Sequence, residues 1–260
     1  SRYPIDLKLG YEVPLPHLAP LRDLARTLYL ESLVLTHDGH TEGAVDSVRV
    51  MYAIARSLES EPVLASQTVR IAIESMTTSM FSKNLSARPF SPAELDEVSR
   101  LSKSDVRLNS CYRAFVAHAL TATFQPQGLE GSHHQVGDAG FLATYLEVIE
   151  PFLDAFELPL RDAIMEFESL AFDVEKSFNP YYQREMSQMN MPEFLRYVYA
   201  AVQGLVYRKI LQVIVGIEKY RLDHGTLPAK LELLVPTYLD EIPGDPYNKT
   251  DIAYAPTSPG

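Results

Sequence analysis

Apolar residues recur at helical spacing along most of this chain, and short polar signals separate one apolar run from the next. Over residues 18–36 the apolar positions are mostly three or four apart, which is the repeat of an amphipathic helix. His37-Asp38-Gly39-His40 ends that run, and Thr41 opens a second run that extends to about Ser60. Because so short a connection turns the chain back on itself, the pattern predicts an antiparallel αα-hairpin.

The spacing also predicts which face of each of these two helices is buried. In the first helix the predicted buried positions are Leu21, Leu24, Ala25, Leu28 and Leu35. In the second helix they are Val45, Val48, Tyr52 and Ala55.

Further helices follow from the same repeat and from recognisable start residues. Ser91-Pro92-Ala93-Glu94 is a strong start, since it combines an N-cap hydroxyl, a proline at the first helical position and an acid in the first turn. The predicted bounds are about 62–82, 91–104, 106–124, 138–156, 159–177, 192–224 and 228–235. We therefore predict an all-α fold of stacked antiparallel helical hairpins, arranged as a solenoid or as an irregular bundle.

Glycine and proline divide this pattern into four consecutive regions. Residues 125–140 hold four glycines and a proline, which is typical of a long loop or a boundary. The predicted regions are a helical-hairpin region (1–124), a glycine-rich loop (125–140), a second helical region packed on the first (141–236) and a mostly irregular C-terminal tail (237–260) with room for one small hairpin.

Charge and composition restrict the partners. The formal charge of -11 disfavours binding to nucleic acid or to anionic lipid. The single cysteine, Cys111, excludes an internal disulfide and is predicted to be a buried, unreactive thiol. Arg208 and Lys209 interrupt the most apolar stretch, 197–217, so no membrane span is predicted. Because the sequence opens on Ser1, we expect a fragment or a processed form, which leaves room for an N-terminal anchor outside it.

The N-terminal third carries several short sequence words. They are Tyr3-Pro4-Ile5-Asp6, Pro16-His17-Leu18-Ala19-Pro20-Leu21-Arg22-Asp23-Leu24-Ala25-Arg26, and Glu61-Pro62-Val63-Leu64 with Gln67 and Val69-Arg70-Ile71-Ala72. Over about residues 1–80 the sequence resembles a family of uncharacterised, often membrane-anchored bacterial envelope proteins. The resemblance implies a place on the extracytoplasmic or periplasmic side of a bacterial envelope, and it brings no activity and no catalytic residues.

A second set of words lies near the C-terminus, over about residues 218–254. It comprises Tyr220-Arg221-Leu222-Asp223-His224-Gly225-Thr226-Leu227-Pro228, Leu234-Val235-Pro236 and Asp245-Pro246-Tyr247. This segment is similar to the part of type II secretion pseudopilins in which the long helix ends and the chain enters a small sheet. A pseudopilin-like assembly subunit is therefore one alternative. The acidic calcium-binding loop that follows in that family is absent here, so no calcium and no other cofactor is expected.

One loop combines imidazole and carboxylate groups, which suit zinc, copper or iron. Its residues are Glu130, His133, His134 and Asp138. Neighbouring histidines in a glycine-rich loop are not preorganised, and the single Glu130-x-x-His133 word lies off any helix, whereas a di-iron bundle needs two such words on helices. A metal-binding protein or metal-dependent enzyme that uses His133, His134 and Asp138 is a further alternative.

Two other groups of residues have side chains of a functional type, one suited to a partner surface and the other to acid–base chemistry. Tyr181, Tyr182, Met186 and Met189 are of the types that dominate adaptable partner surfaces, although the same residues suit a core beneath a loop. Carboxylates also recur at helical spacing on two successive helices, at Glu147, Glu150, Asp154 and Glu157 and at Asp162, Glu166, Glu168, Asp173 and Glu175. Their spacing predicts a solvated acidic face and does not tell whether the two helices bring any pair together.

No motif for a nucleophilic serine, a phosphate-binding loop or a helical zinc site occurs in the sequence. This favours a non-catalytic protein over an enzyme. We therefore predict a protein-interaction or scaffold domain of the bacterial cell envelope, with a protein partner still to be identified.

Overall fold

The computed structural model describes residues 3–6, 13–103, 114, 147, 150–158, 160–176, 191–245 and 252–256. Over these residues the protein is all-α, with helices packed on helices and no strand, which confirms the predicted fold class. The helices are α1 (Leu18–His37), α2 (Thr41–Ser57), α3 (Leu64–Ala87), α4 (Pro92–Ser102), α5 (Leu160–Lys176) and α6 (Met191–His224), followed by a short 3-10 helix at Leu231–Leu234. Residues 150–155 are helical as well.

Helices α1 and α2 form the predicted hairpin, and a glycine closes its turn. Gly39 has a φ of +88°, a left-handed conformation that costs glycine little because it has no Cβ. The amide of His40 donates to the carbonyl of Leu35 at 2.8 Å, and the amide of Gly39 donates to that of Thr36 at 3.1 Å. These two hydrogen bonds satisfy the last carbonyls of α1 while the chain reverses.

The buried face of α1 agrees only in part with the predicted face, since Leu21 and Leu28 pack against the core as predicted. Ala25 is fully buried, but Leu24 is 46% exposed, so the prediction for Leu24 was wrong. Ser32 and Thr36 occupy buried positions instead of further leucines. The side-chain amide of Asn84 donates to Ser32 Oγ at 2.7 Å, so a polar contact with α3 supports a buried face that leaves Leu24 outside.

Helix α3 begins at Leu64, later than the predicted start at residue 62. The side-chain amide of Gln67 donates to the carbonyls of Leu58 and Glu61 at 2.8 and 2.7 Å. These hydrogen bonds hold residues 58–61 in a closed turn, so the first helical turn forms only after it.

The chain forms two compact units, each assembled from three stretches of sequence. Unit 1 consists of Ser1–Leu18, Leu58–Thr68 and Arg107–Val202, and unit 2 of Ala19–Ser57, Val69–Val106 and Gln203–Gly260. Two of the boundaries between these stretches, after Thr68 and after Val202, fall inside α3 and α6. The four consecutive regions derived from glycine and proline remain a prediction.

The main hydrophobic core of unit 2 is built around α2. All four residues predicted to be buried on this helix, Val45, Val48, Tyr52 and Ala55, belong to the core. Its other large members are Met51, Ile54, Ile73, Met80, Phe81, Phe90, Leu95, Val98, Leu101, Leu211 and Val215. Burying an aliphatic or aromatic side chain of this size contributes about 1.5–3 kcal/mol, so these contacts are the main stabilising element of the unit.

Helix α4 starts where the sequence predicts. The Ser91 hydroxyl accepts a hydrogen bond from the Glu94 amide at 3.4 Å, and the Glu94 carboxylate accepts one from the Ser91 amide at 2.7 Å. Pro92 occupies the first helical position, where its missing N–H leaves no partner unsatisfied. This reciprocal capping box satisfies two amides that no helical carbonyl can reach.

Within unit 2, the segment that follows α6 packs back on that helix. Leu234 and Leu239 are buried against the last turns of α6. In the described part of the tail, one backbone bridge stands where a small hairpin was expected, with the amide of Ile252 donating to the carbonyl of Pro243 at 3.2 Å. The predicted helix at 228–235 is reduced to the four-residue 3-10 helix.

Candidate functional site

Residues 150–155 and α5 are held in unit 1 by three phenylalanines. Phe152, Phe156 and Phe167 are buried. The ring centroids of Phe156 and Phe167 lie 4.9 Å apart in an edge-on pair, and those of Phe152 and Phe167 lie 6.2 Å apart. Aromatic pairs at such distances add about 0.5–1.5 kcal/mol to the burial of their area. This packing holds together the two segments that carry the polar residues described next.

An open groove of about 400 Å³ is lined by residues of both segments. Its described lining consists of Glu147, Glu150, Pro151, Asp154, Ala155, Leu158 and Glu166. All four acidic residues are exposed, and Leu158 is 40% exposed although it is apolar. The described lining therefore combines apolar residues with four carboxylates, which we call the rim, and it includes no lysine or arginine. We call this groove the acidic groove.

The spacing of the carboxylates along the sequence does not tell which of them lie close together in the fold. The acidic groove brings four of them together. Glu166 of α5 shares one groove with Glu147, Glu150 and Asp154, whereas Glu157 and Asp162 are exposed and do not line it. A further member of the predicted acidic run, Glu168, accepts a hydrogen bond from the Tyr199 hydroxyl at 2.6 Å. Only the contact between the two helical segments, which depends on packing, selects these four residues from the run.

The chemistry of the acidic groove is that of a charged surface. Like charges side by side raise the negative potential and attract cationic groups. Among the described residues, no three His, Cys, Asp or Glu side chains are placed to hold one metal ion. In the described part of the groove the carboxylates are therefore a row of separate charges and not a chelating cluster.

The two sets of site residues predicted from the sequence lie outside the described residues. They are the metal candidates His133, His134 and Asp138 and the partner-surface candidates Tyr181, Tyr182, Met186 and Met189. Cys111 also lies outside. All of these assignments remain predictions.

A buried charge cluster in unit 2, which the sequence reasoning missed, joins α3 to α6. Glu74 accepts hydrogen bonds from Arg70 Nη1 at 3.0 Å and from Arg208 Nε at 2.9 Å, and Arg208 Nη2 donates to it as well. All three side chains are buried. The four-residue spacing of Arg70 and Glu74 was a visible signal, but Arg208 was interpreted only as an interruption of an apolar stretch. Its partner lies 134 residues away.

The buried charge cluster also contacts an aromatic residue of α2. The guanidinium of Arg208 lies 5.4 Å from the centroid of the Tyr52 ring, within the range of a cation–π contact. Burial raises the pKa of Tyr52 to about 12, so its hydroxyl stays protonated at physiological pH. The cluster thus links α2, α3 and α6 inside the core, where its role is structural.

Residues from the N-terminal sequence words meet in unit 1. The rings of Tyr3 and His17 stack with centroids 4.0 Å apart and an interplanar angle of 6°. His17 Nε2 lies 3.1 Å from Glu61 Oε2, and the Glu61 side chain is fully buried. These contacts attach the lead-in segment to the turn before α3.

Residues from the C-terminal words form an aromatic cluster at the end of α6. Tyr220 stacks on His224 with ring centroids 4.0 Å apart, and Tyr238 stands edge-on to both rings. The Tyr238 hydroxyl donates to Asp223 Oδ2 at 2.6 Å, and this hydrogen bond raises the pKa of Tyr238 to about 12. Gly225 ends the helix at a φ of +72°, as its position in the sequence predicts.

One described helix has the length and composition of a membrane span. Within α6, the segment Tyr197–His224 meets both criteria, and 44% of its most apolar window is buried. Arg208 lies in this segment and binds Glu74 in the core of unit 2. Because the core helix of a soluble protein meets the same criteria, they are weak evidence for a span. The predicted absence of a span remains a prediction.

Comparison with models of protein families, with curated proteins and with solved structures finds no match for this chain.

Proposed function

We propose that this chain is a non-catalytic protein-interaction domain that works at the envelope of a bacterium. The observation that carries the proposal is the acidic groove, where Leu158 is 40% exposed beside four carboxylates. Apolar surface framed by charged residues is typical of protein-binding sites. The buried phenylalanine packing between the segments that carry the groove residues supports such a role, because binding is stronger when a surface is ordered in advance.

The place at the envelope rests on the N-terminal sequence words. They resemble proteins of the bacterial envelope, and two of their residues, His17 and Glu61, contact each other in the fold. In this proposal Tyr3, His17 and Glu61 of the N-terminal words contribute to the architecture of unit 1, and the partner binds elsewhere on that unit.

The experiment that tests the proposed function is affinity capture of the intact protein from a detergent-solubilised extract of its source organism. We expect one protein to be retained in near-stoichiometric amount. Rebuilding the complex from the two purified proteins, with affinity measured by calorimetry, would then establish direct binding. An unrelated acidic helical protein of similar charge is the control for adventitious capture.

Two results would contradict the proposed function. If no protein is retained above the control from cells grown under several conditions, or if the retained protein does not bind the purified chain, an interaction domain is the wrong assignment. The alternative to test next would then be a metal-binding protein or metal-dependent enzyme that uses His133, His134 and Asp138.

A further inference from the structure

The acidic groove presents an apolar surface and an acidic surface. Each of them indicates which side chains of a partner would bind there. Pro151 and Leu158 supply accessible apolar atoms, and Leu158 keeps 40% of its surface in water, whereas Ala155 is almost fully buried. An occupant with only polar groups would leave this surface unused. An apolar side chain placed there gains about 25 cal/mol for each Å² of apolar surface that it removes from water.

The rim of the acidic groove sets the charge of the occupant. Glu147, Glu150, Asp154 and Glu166 give it a formal charge of about -4 at neutral pH, and the chain as a whole carries -11. Such a field repels phosphates and other anions and accelerates the approach of cations. The complementary occupant is therefore a polypeptide segment rich in lysine or arginine, and nucleic acids and anionic lipid surfaces are excluded.

The spacing of the rim points to a helical occupant. Glu150 and Asp154 are four residues apart in the helical segment 150–155, so consecutive helical turns present one carboxylate each, about 6 Å apart along the helix axis. A neighbouring helix with basic residues three or four apart repeats at the same interval. The described part of the chain has no strand whose edge could pair with an extended peptide.

We infer that the acidic groove binds a basic amphipathic helix of the partner protein, with its apolar stripe on Pro151 and Leu158 and its basic residues against the carboxylates. The inference rests on the proposed function, because it names the partner element that the interaction domain recognises. The binding mode is that of a helix laid in a groove.

The test uses a fluorescent synthetic peptide of about four helical turns, with leucines on one face and lysines on the flanks. Fluorescence anisotropy measures its binding to the intact chain. A peptide with glutamate in place of every lysine tests the charge requirement. A scrambled lysine-leucine peptide of identical composition tests the need for an apolar face.

Two double variants test the location. Glu150→Gln with Asp154→Asn removes two charges from the acidic groove, whereas Glu59→Gln with Glu157→Gln removes two charges from exposed residues of unit 1 that do not line it. We expect the first variant to weaken binding of the lysine-leucine peptide by about tenfold or more and the second by less than about twofold. All four residues are exposed, so both variants should fold, and circular dichroism checks this.

The inference is overturned if the groove variant binds the peptide as tightly as the native chain. It is also overturned if the glutamate peptide or the scrambled peptide binds equally well. Binding of the natural partner distinguishes a failure of this inference from a failure of the proposed function. If the groove variant still captures that partner with native affinity, the groove assignment fails while the interaction domain stands; if the native chain captures no partner, the proposed function fails.

Discussion

Glu74 and Glu97 each accept hydrogen bonds from two arginines, and they differ in the surroundings of those arginines. The partners of Glu74 are Arg70 and Arg208, whose side chains are 3% and 5% exposed. The partners of Glu97 are Arg49 and Arg100, whose side chains are 49% and 67% exposed. If Glu74 is replaced, water cannot solvate the buried arginines that lose their partner. If Glu97 is replaced, water can solvate its exposed arginines.

We predict that Glu74→Gln lowers the free energy of unfolding by about 3–5 kcal/mol, because breaking a buried ion pair leaves charge in a medium that solvates it poorly. Glu97→Gln is the matched control, with an expected loss of about 1 kcal/mol or less. Urea unfolding followed by circular dichroism measures both. Equal losses for the two variants would contradict the distinction between the buried and the exposed group.

The surface group also predicts a dependence on pH. Hydrogen bonds from Arg100 and then Arg49 lower the pKa of Glu97 to about 2, against an ordinary value of about 4.3 in an unfolded chain. A lowered folded-state pKa contributes stability above the unfolded value, and this contribution disappears as the pH falls from about 4.3 toward about 2. Because the arginines are exposed, the whole effect should stay below about 1 kcal/mol.

The measurement compares native protein with Glu97→Gln at about pH 5 and about pH 3. The native chain should lose part of its advantage over the variant at the lower pH. An advantage that is constant, or larger at low pH, would show that Glu97 does not titrate with a lowered pKa in the folded protein.

At the scale of elements, α3 and α6 approach each other closely where a glycine faces an isoleucine in unit 2. A Cβ added to Gly204 would lie 2.9 Å from Ile71 Cγ2, which is closer than non-bonded carbons approach in proteins. The Ile71 side chain is itself buried and has little room to move. Glycine is thus required here for close packing, although it is a poor helix former.

We predict that Gly204→Ala destabilises the protein by about 1–2 kcal/mol, since the cost of overpacking exceeds the helix propensity that alanine gains. Gly244→Ala is the control, because nothing lies within 4 Å of its added Cβ. Adding Ile71→Leu to Gly204→Ala removes the clashing branch at Cβ and should recover part of the loss. The proposed close contact is wrong if Gly204→Ala is neutral or stabilising by thermal unfolding.

At the scale of the whole molecule, charge is the property with the clearest consequence. The formal charge of -11 opposes the approach of polyanions, whose binding to proteins depends on lysine and arginine contacts to phosphate. We predict no binding to duplex DNA at physiological salt up to tens of micromolar protein, measured by fluorescence anisotropy. A basic DNA-binding protein is the positive control, and saturable binding by the native chain would contradict the prediction.

Some features of this protein were determined by the sequence alone. The hairpin turn at Gly39, the start of α4 at Ser91 and the end of α6 at Gly225 each depend on residues a few positions apart. Such local hydrogen bonds and backbone conformations are determined by residues that are neighbours in the sequence. For that reason the all-α class and most of the described helix bounds could be predicted without a structure.

Other features were decided only by the tertiary structure. Arg208 looked like an interruption of an apolar stretch until packing placed it on Glu74, 134 residues away. Likewise, the acidic run contained more carboxylates than the groove uses, and Glu166 joins Glu150 only because buried phenylalanines pack the two segments together. Spacing along one helix specifies a face, but which face meets which depends on side-chain packing between segments that are distant in sequence.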